Sequence, residues 1–215
     1  MKKKNKNKKD KKNNEYKQIA NFVYETNILS HTPRSGLWFL GSGNQSVAEH
    51  LFHTAMIAYA LTSLERKVDK NKVVLMALFH DIGEGRVSDH NYVHQRYGRL
   101  SEANAVHDIA ESLPFGNEIK KLNEEEQARI TPEARLVKDA DNLEWISTLR
   151  AEEVKGNSKA KDWIKSAVKR LRTAPGKKLG KVILTTDPDA WWFSNKDTWF
   201  IDREPKYQKW GNKNG

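Results

Sequence analysis

The sequence predicts an all-α protein, and three observations carry that expectation. Apolar residues recur at three- and four-residue spacing along most of the chain, the pattern of helices that bury one face. Two segments open with helix-start signatures, Ser46 followed by Glu49 and Thr131 followed by Pro132. The one run that could be a buried strand, Val73–Phe79, has no second run to pair with.

In chain order, helical patterning begins at Tyr16, with Ile19, Phe22, Val23 and Thr26 on one face and Ile28-Leu29 closing the segment. A loop rich in Pro, Ser and Gly follows from Ser30 to Gln45. Ser46 and Glu49 then form a capping box, each side chain satisfying the other residue's backbone N–H. That helix runs to about Glu65 with Leu51, Ala55, Ala58 and Leu61–Thr62 as its apolar stripe. Within Val73–Phe79 only two of the seven residues are β-branched, so the run reads as a buried helix ending near Asp81. A looser stretch from Gly83 to about Tyr97 precedes a helix carrying Ala103, Val106, Ile109–Ala110 and Leu113, which stops at Pro114. The helix opened by Thr131-Pro132 turns Leu136, Ala140, Leu143 and Ile146 inward and continues past Leu149. Further helical patterning covers Trp163–Leu171 and Leu179–Leu184.

The 215 residues suffice for one domain with a sizeable core. The absence of cysteine excludes thiolate zinc sites, cysteine nucleophiles and iron–sulfur clusters, and it fits a cytoplasmic setting. No apolar stretch approaches the ~20 residues that span a bilayer, and the basic N-terminus lacks the apolar segment of a signal peptide. The net charge of +10 is unevenly placed, because residues 1–14 carry eight Lys against one Asp. That Lys-rich tail has no apolar residue after Met1 and is expected to be disordered and solvated. A weak attraction to nucleic acid is conceivable there. Residues 15–215 are expected to form the folded domain, with core motifs at 30–145 and C-terminal helices and an aromatic-rich end at 159–215.

His80-Asp81 stands at the end of seven consecutive apolar residues, where an ionisable pair is costly unless a bound cation compensates it. His50 lies in Ser46-Val47-Ala48-Glu49-His50-Leu51 and Asp141 in Val137-Lys138-Asp139-Ala140-Asp141. Two imidazoles and two carboxylates suit a divalent ion such as Mn, Fe, Co, Ni, Zn or Mg.

The order His50, His80-Asp81, Asp141 resembles that of the HD-domain metal-dependent phosphohydrolases. The words Ser46-Val47-Ala48-Glu49-His50, His80-Asp81-Ile82-Gly83-Glu84 and Lys138-Asp139-Ala140-Asp141-Asn142-Leu143-Glu144 are similar to those of its 5′-deoxynucleotidase-like branch. The resemblance spans roughly Phe22 to Trp145. It implies a helical bundle with a metal site between core helices, the ligands being His50, His80, Asp81 and Asp141. It further implies that Glu84 positions or deprotonates the attacking water, that Asp89 lies near the reacting phosphate, and that Arg34 contacts that phosphate. The implied activity is removal of the 5′-phosphate from (deoxy)nucleoside monophosphates by in-line attack of a metal-bound water. A nucleoside triphosphate or alarmone phosphohydrolase on the same scaffold is the first rival. A nucleic-acid-binding or regulatory protein with a structural metal is the second. The family often dimerises, so a homodimer is expected.

Other residues have plainer readings. Trp38-Phe39 could stack on a base or simply pack. Glu49 reads as the capping-box glutamate, and Asp139 as a surface position or a neighbour of the ligands pointing away from Asp141. His53, one turn from His50, is a rival ligand, and the matched context favours His50. His107-Asp108-Ile109-Ala110-Glu111 imitates the metal motif but falls on the polar face of an amphipathic helix. His90 and His94, spaced i,i+4, read as surface or substrate-facing, with a second metal as the sharper alternative. Gly41-Ser42-Gly43 before a helix is a possible phosphate cradle bordering the substrate. Trp191-Trp192-Phe193, Trp199-Phe200 and Trp210 are expected to cover the core or a dimer surface.

Overall fold

The computed structural model describes residues 2–193, with side chains from residue 12 onward. Its regular elements are all helical. Eleven α-helices follow in order: α1 (Lys2–Asn27), α2 (Gly36–Leu40), α3 (Val47–Leu64), α4 (Lys70–Phe79), α5 (Glu84–Val87), α6 (Tyr92–Tyr97), α7 (Glu102–Glu111), α8 (Gly116–Ala128), α9 (Pro132–Val154), α10 (Ser158–Val168) and α11 (Ala174–Thr185). No helix among the described residues is long and apolar enough to cross a membrane.

The helix starts follow from the local sequence. The capping box at Ser46 and Glu49 opens α3, and the Thr131 side chain accepts from Ala134 N ahead of Pro132 in α9. Asp69 opens α4 by accepting from Asn71 N and Lys72 N.

α9 is the central element. It packs against α3, α4, α8, α10 and α11, and it buries Leu136, Ala140, Leu143, Ile146 and Leu149. With Ala55, Ala58 and Leu61 of α3 and Val73, Met76 and Ala77 of α4, these residues form the larger core. A smaller core joins Leu29, Val47, Leu51, Ile82, Val106, Ile109, Leu113 and Ile119, and Phe79 packs against both. The ends of α3 and α4 that carry His50 and His80 therefore lie where the two cores meet.

Several expectations change. The Lys-rich stretch expected to be disordered is the N-terminal part of α1, because Lys is a good helix former and extending a helix needs no new nucleus. Of the α1 face, Phe22 packs on the smaller core and meets Phe115 edge-on at 5.6 Å, whereas Val23 is exposed. The α4 run is buried on one side only, since Leu75 and Leu78 are exposed. The loop from Ser30 to Gln45 contains α2, and α8 went unread. Trp191 is exposed, and Trp191-Trp192-Phe193 belong to neither core. Trp199-Phe200 and Trp210 lie outside the described residues.

Asp139 is a further correction. It is buried, and its carboxylate accepts hydrogen bonds from Arg172 N (2.8 Å), Thr173 N (2.7 Å) and Thr173 Oγ1 (2.6 Å). It thereby ties α9 to the residues that open α11. Asp139→Ala should destabilise the protein by roughly 3 kcal/mol, because it removes a buried charged acceptor shared by three donors. The check is a fall in the urea midpoint with an unchanged m-value.

Candidate metal centre

His50 sits in the first turn of α3 and His80 at the C-terminal end of α4, and both rings are buried. Asp141 lies on α9. Packing of α3 on both α4 and α9 brings the three together.

The protons of both rings are fixed by partners on their far sides. Burial raises the affinity of Glu144 for a proton, but the hydrogen bond from His50 outweighs this and holds its pKa below the usual carboxylate value. A carboxylate only accepts, so the 2.8 Å contact places a proton on His50 Nδ1. His80 Nδ1 donates to the Ala77 carbonyl at 2.8 Å. Both Nε2 atoms are left facing inward, 3.3 Å apart.

Two carboxylates complete the set. Asp81 Oδ2 lies 3.5 Å from His50 Nε2 and 3.3 Å from His80 Nε2, and Asp141 Oδ1 lies 3.4 Å from His50 Nε2. Such separations match ligand atoms placed ~2 Å from one shared ion. Two opposed lone pairs flanked by carboxylates are complementary to a cation, so these residues fit a divalent metal. From protein groups alone, burial pulls the His80 pKa down, but Asp81 and Asp141 more than offset it and hold it at about 9, so a proton takes the inward-facing position that a metal ion would displace it from. Asp81 and Asp141 are both held well below the usual carboxylate range. Burial opposes this in each, and His80 outweighs it for Asp81, Lys138 for Asp141.

The surroundings hold these side chains in place. Lys138 Nζ donates to Asp141 Oδ2 at 2.7 Å, and Asn123 Nδ2 to the His80 carbonyl at 2.9 Å. Glu144 also accepts from Gln45 Nε2 (2.6 Å) and Thr148 Oγ1 (3.1 Å).

Arg34 reaches the cluster from a pinned loop. Arg34 N donates to the Gln45 carbonyl and Val47 N to the Thr32 carbonyl, so residues 32–34 run alongside the start of α3. Its guanidinium lies 3.5 Å from Asp81 and 3.9 Å from Asp89. Asp89 Oδ2 accepts from Ser35 N at 2.6 Å, and Asp89 follows Ser88, whose φ of 69° is strained for a residue other than glycine. Glu84 opens α5 with its Oε2 buried and unpartnered. Burial, with Asp81 and Asp89 nearby, pushes its pKa up to about 10.

The fold thus gathers His50, His80, Asp81, Asp141, Arg34, Glu84 and Asp89. Trp38 stands apart, 60% exposed. Glu49 is the capping glutamate. His53 is exposed and does not reach the cluster, its Nδ1 lying 3.9 Å from Glu144. His107, Asp108 and Glu111 are exposed. His90 and His94 belong to no cluster of three ligand atoms among the described residues. Gly41-Ser42-Gly43 does not cradle the ligands. Ser42 accepts from Asn157, and Gly43 lines a hollow beside Gln45, His53 and Thr148 that includes none of them. Sequence reasoning assigned no role to Glu144, Lys138, Gln45 or Asn123. Lys138 and Glu144 left the same signal, each three residues from Asp141 on the same helix.

A family model described as HD domain matches residues 26–182. The 5′-deoxynucleotidase HDDC2 of Dictyostelium discoideum is 35% identical over 113 residues, 47% of this chain and 60% of that protein. Its namesake from Danio rerio is 34% identical over 135 residues, 60% of this chain and 66% of that protein. The chain therefore spans less than two thirds of the length of these two relatives. A conserved hypothetical protein from Pyrococcus furiosus superposes with a TM-score of 0.67 at 27% identity, covering 76% of this chain and 96% of that one.

Glu144→Ala removes the group that fixes the His50 tautomer, so divalent-ion affinity should fall about 10- to 100-fold. Competition against a chromogenic chelator reads this, with an unchanged helical circular dichroism spectrum showing that the fold persists.

Proposed function

The chain belongs to the HD-domain family, and from that premise we propose that it is a metal-dependent phosphohydrolase acting on deoxynucleoside 5′-monophosphates. The observation that carries this reading is the convergence of two imidazoles and two carboxylates beside Arg34 and the buried Glu84. The name 5′-deoxynucleotidase on two relatives supports the substrate class.

A divalent ion held by His50, His80, Asp81 and Asp141 would supply Lewis-acid polarisation and a lowered pKa for nearby water. Arg34 binds the phosphate, its guanidinium being suited to phosphoryl oxygens and only loosely engaged by Asp81 and Asp89. Beyond burial, the Asp81 and Asp89 charges raise the proton affinity of Glu84; with a bound cation offsetting them, its Oε2 is ionised and accepts the proton of the attacking water. Attack in line forms the new bond from water oxygen to phosphorus and breaks the bond to O5′, which takes up the proton. Asp89 keeps Arg34 directed at the phosphate and anchors the start of α2 through Ser35 N.

A second copy of the chain is the expected partner. Phe52, Met56 and Tyr59, exposed at i, i+4 and i+7 along α3, support a homodimer. A nucleotide substrate suits the cytoplasmic setting expected from the cysteine-free composition.

Product analysis tests the function. With Mn or Co, the protein should release inorganic phosphate from deoxynucleoside monophosphates, with Asp81→Asn protein as the blank. Tripolyphosphate from triphosphates would instead move the activity to the first rival, and phosphate at the blank's level would overturn the reading. The proposed roles separate by variant. Asp81→Asn should lose metal and turnover together, whereas Glu84→Ala should retain metal and lose about 100- to 10,000-fold in kcat, the range of general acid–base catalysis. A Glu84→Ala enzyme of wild-type rate would remove that residue from the mechanism.

A further inference from the structure

An exposed aromatic surface is tied to Asp89 by a polar scaffold. α2 turns Leu37 and Leu40 into the protein and leaves Trp38 60% exposed. Trp38 meets the His94 ring edge-on with centroids 6.0 Å apart, and His94 meets His90 at 5.4 Å. His90, Val93, His94 and Tyr97 line an open hollow of about 470 Å³.

The scaffold starts at Asp89. Its carboxylate accepts from Ser35 N (2.6 Å), and Ser35 Oγ accepts from Asn91 N (2.9 Å) and Asn91 Nδ2 (3.1 Å). Asn91 Oδ1 accepts from Val93 N and His94 N, which opens α6 and fixes the orientation of the amide. Asn91 Nδ2 is then the donor in its 3.1 Å contact with His94 Nδ1. His94 Nδ1 therefore accepts, and its imidazole proton lies on Nε2.

We propose that Trp38 and His94 form the nucleobase subsite of this enzyme, a proposal that rests on its reading as a nucleotide phosphohydrolase. Aromatic rings stack on any base, and His94 Nε2–H adds one donor for a base carbonyl or ring nitrogen. The chain of hydrogen bonds from Asp89 through Ser35 and Asn91 to His94 sets that subsite at a fixed distance from the phosphate end. The site favours a base over none more strongly than it distinguishes between bases.

The test compares deoxynucleoside monophosphates with deoxyribose 5-phosphate, which has the ester and lacks the base, using the full chain loaded with Mn. Trp38→Ala and His94→Ala should each lower the nucleotide-to-baseless ratio of kcat/KM about 10-fold, chiefly through the nucleotide KM, as lost base stacking requires. His94→Phe keeps a ring without the donor and should lower it less. An unchanged ratio, including one in which both substrates fall equally, overturns the proposal. Calorimetric binding of a non-hydrolysable deoxynucleoside 5′-phosphonate separates this from the catalytic reading. If the wild-type protein hydrolyses neither ester yet binds the phosphonate, and Trp38→Ala loses that affinity, the subsite stands and the phosphohydrolase reading fails. Phosphonate affinity indifferent to Trp38→Ala overturns the subsite.

Discussion

The Nε2 atoms of His50 and His80 stand 3.3 Å apart, each ring having its proton on the far side, toward Glu144 in one case and the Ala77 carbonyl in the other. Opposed lone pairs in a buried setting are unfavourable unless a cation lies between them, and Asp81 and Asp141 add the charge that such a cation neutralises. This arrangement constrains the packing around it. α3 must lie against α4 for the rings to meet, and α9 must present Asp141 and Glu144 from one face to hold His50 from two sides. A shift of one turn in any of the three helices would separate the ligands, because one turn is ~5.4 Å.

The cost of such a site is met by packing next to it. Glu84, Glu102 and Glu126 each keep a buried carboxylate oxygen without a hydrogen-bond partner. Burial raises their proton affinity, placing Glu84 at about 10 and Glu102 at about 7. Opposite them stands the larger core, in which Leu136, Val137, Ala140, Leu143, Ile146 and Leu149 of α9 are almost wholly buried. α9 thus carries polar ligands on one face and apolar anchors on another, and the second face holds the first in position. Asp139 serves this division by tying α9 to the start of α11 without joining the ligands.

Much of this arrangement was legible in the sequence where a local rule governs it. The capping box at Ser46 and Glu49, the Thr131-Pro132 start and the α3 stripe all appear as read, because caps and periodicity depend on near neighbours. The convergence of His50, His80 and Asp141 came from the order of the motifs, since spacing alone does not say which helices pack. What escaped depended on contacts distant in sequence. α8 carries only two buried large aliphatic residues, Ile119 and Leu122, among 13, too few for a periodicity reading. Asp139 and Asp141 are two residues apart, and nothing local tells which faces the candidate metal cluster and which holds the residues that open a helix more than thirty residues on. Glu144 shows the opposite limit. Its spacing from Asp141 was visible, but its importance arises only when α3 brings His50 within 2.8 Å.

The phosphate and base ends of the proposed substrate share one support. Asp89 faces the Arg34 guanidinium with one oxygen and receives Ser35 N with the other, and Ser35 Oγ receives Asn91 at the start of α6. Arg34 and Ser35 are adjacent in sequence, so the residue that meets phosphate and the residue that anchors the aromatic wall cannot move independently. The backbone pairing of residues 32–34 with 45–47 extends the same support to the first turn of α3 and to His50. Arg34, proposed to meet the phosphate, is thus continuous with the elements that carry both Trp38 and His50. The proposed base subsite and the candidate metal centre are therefore joined by a stretch of backbone less than twenty residues long.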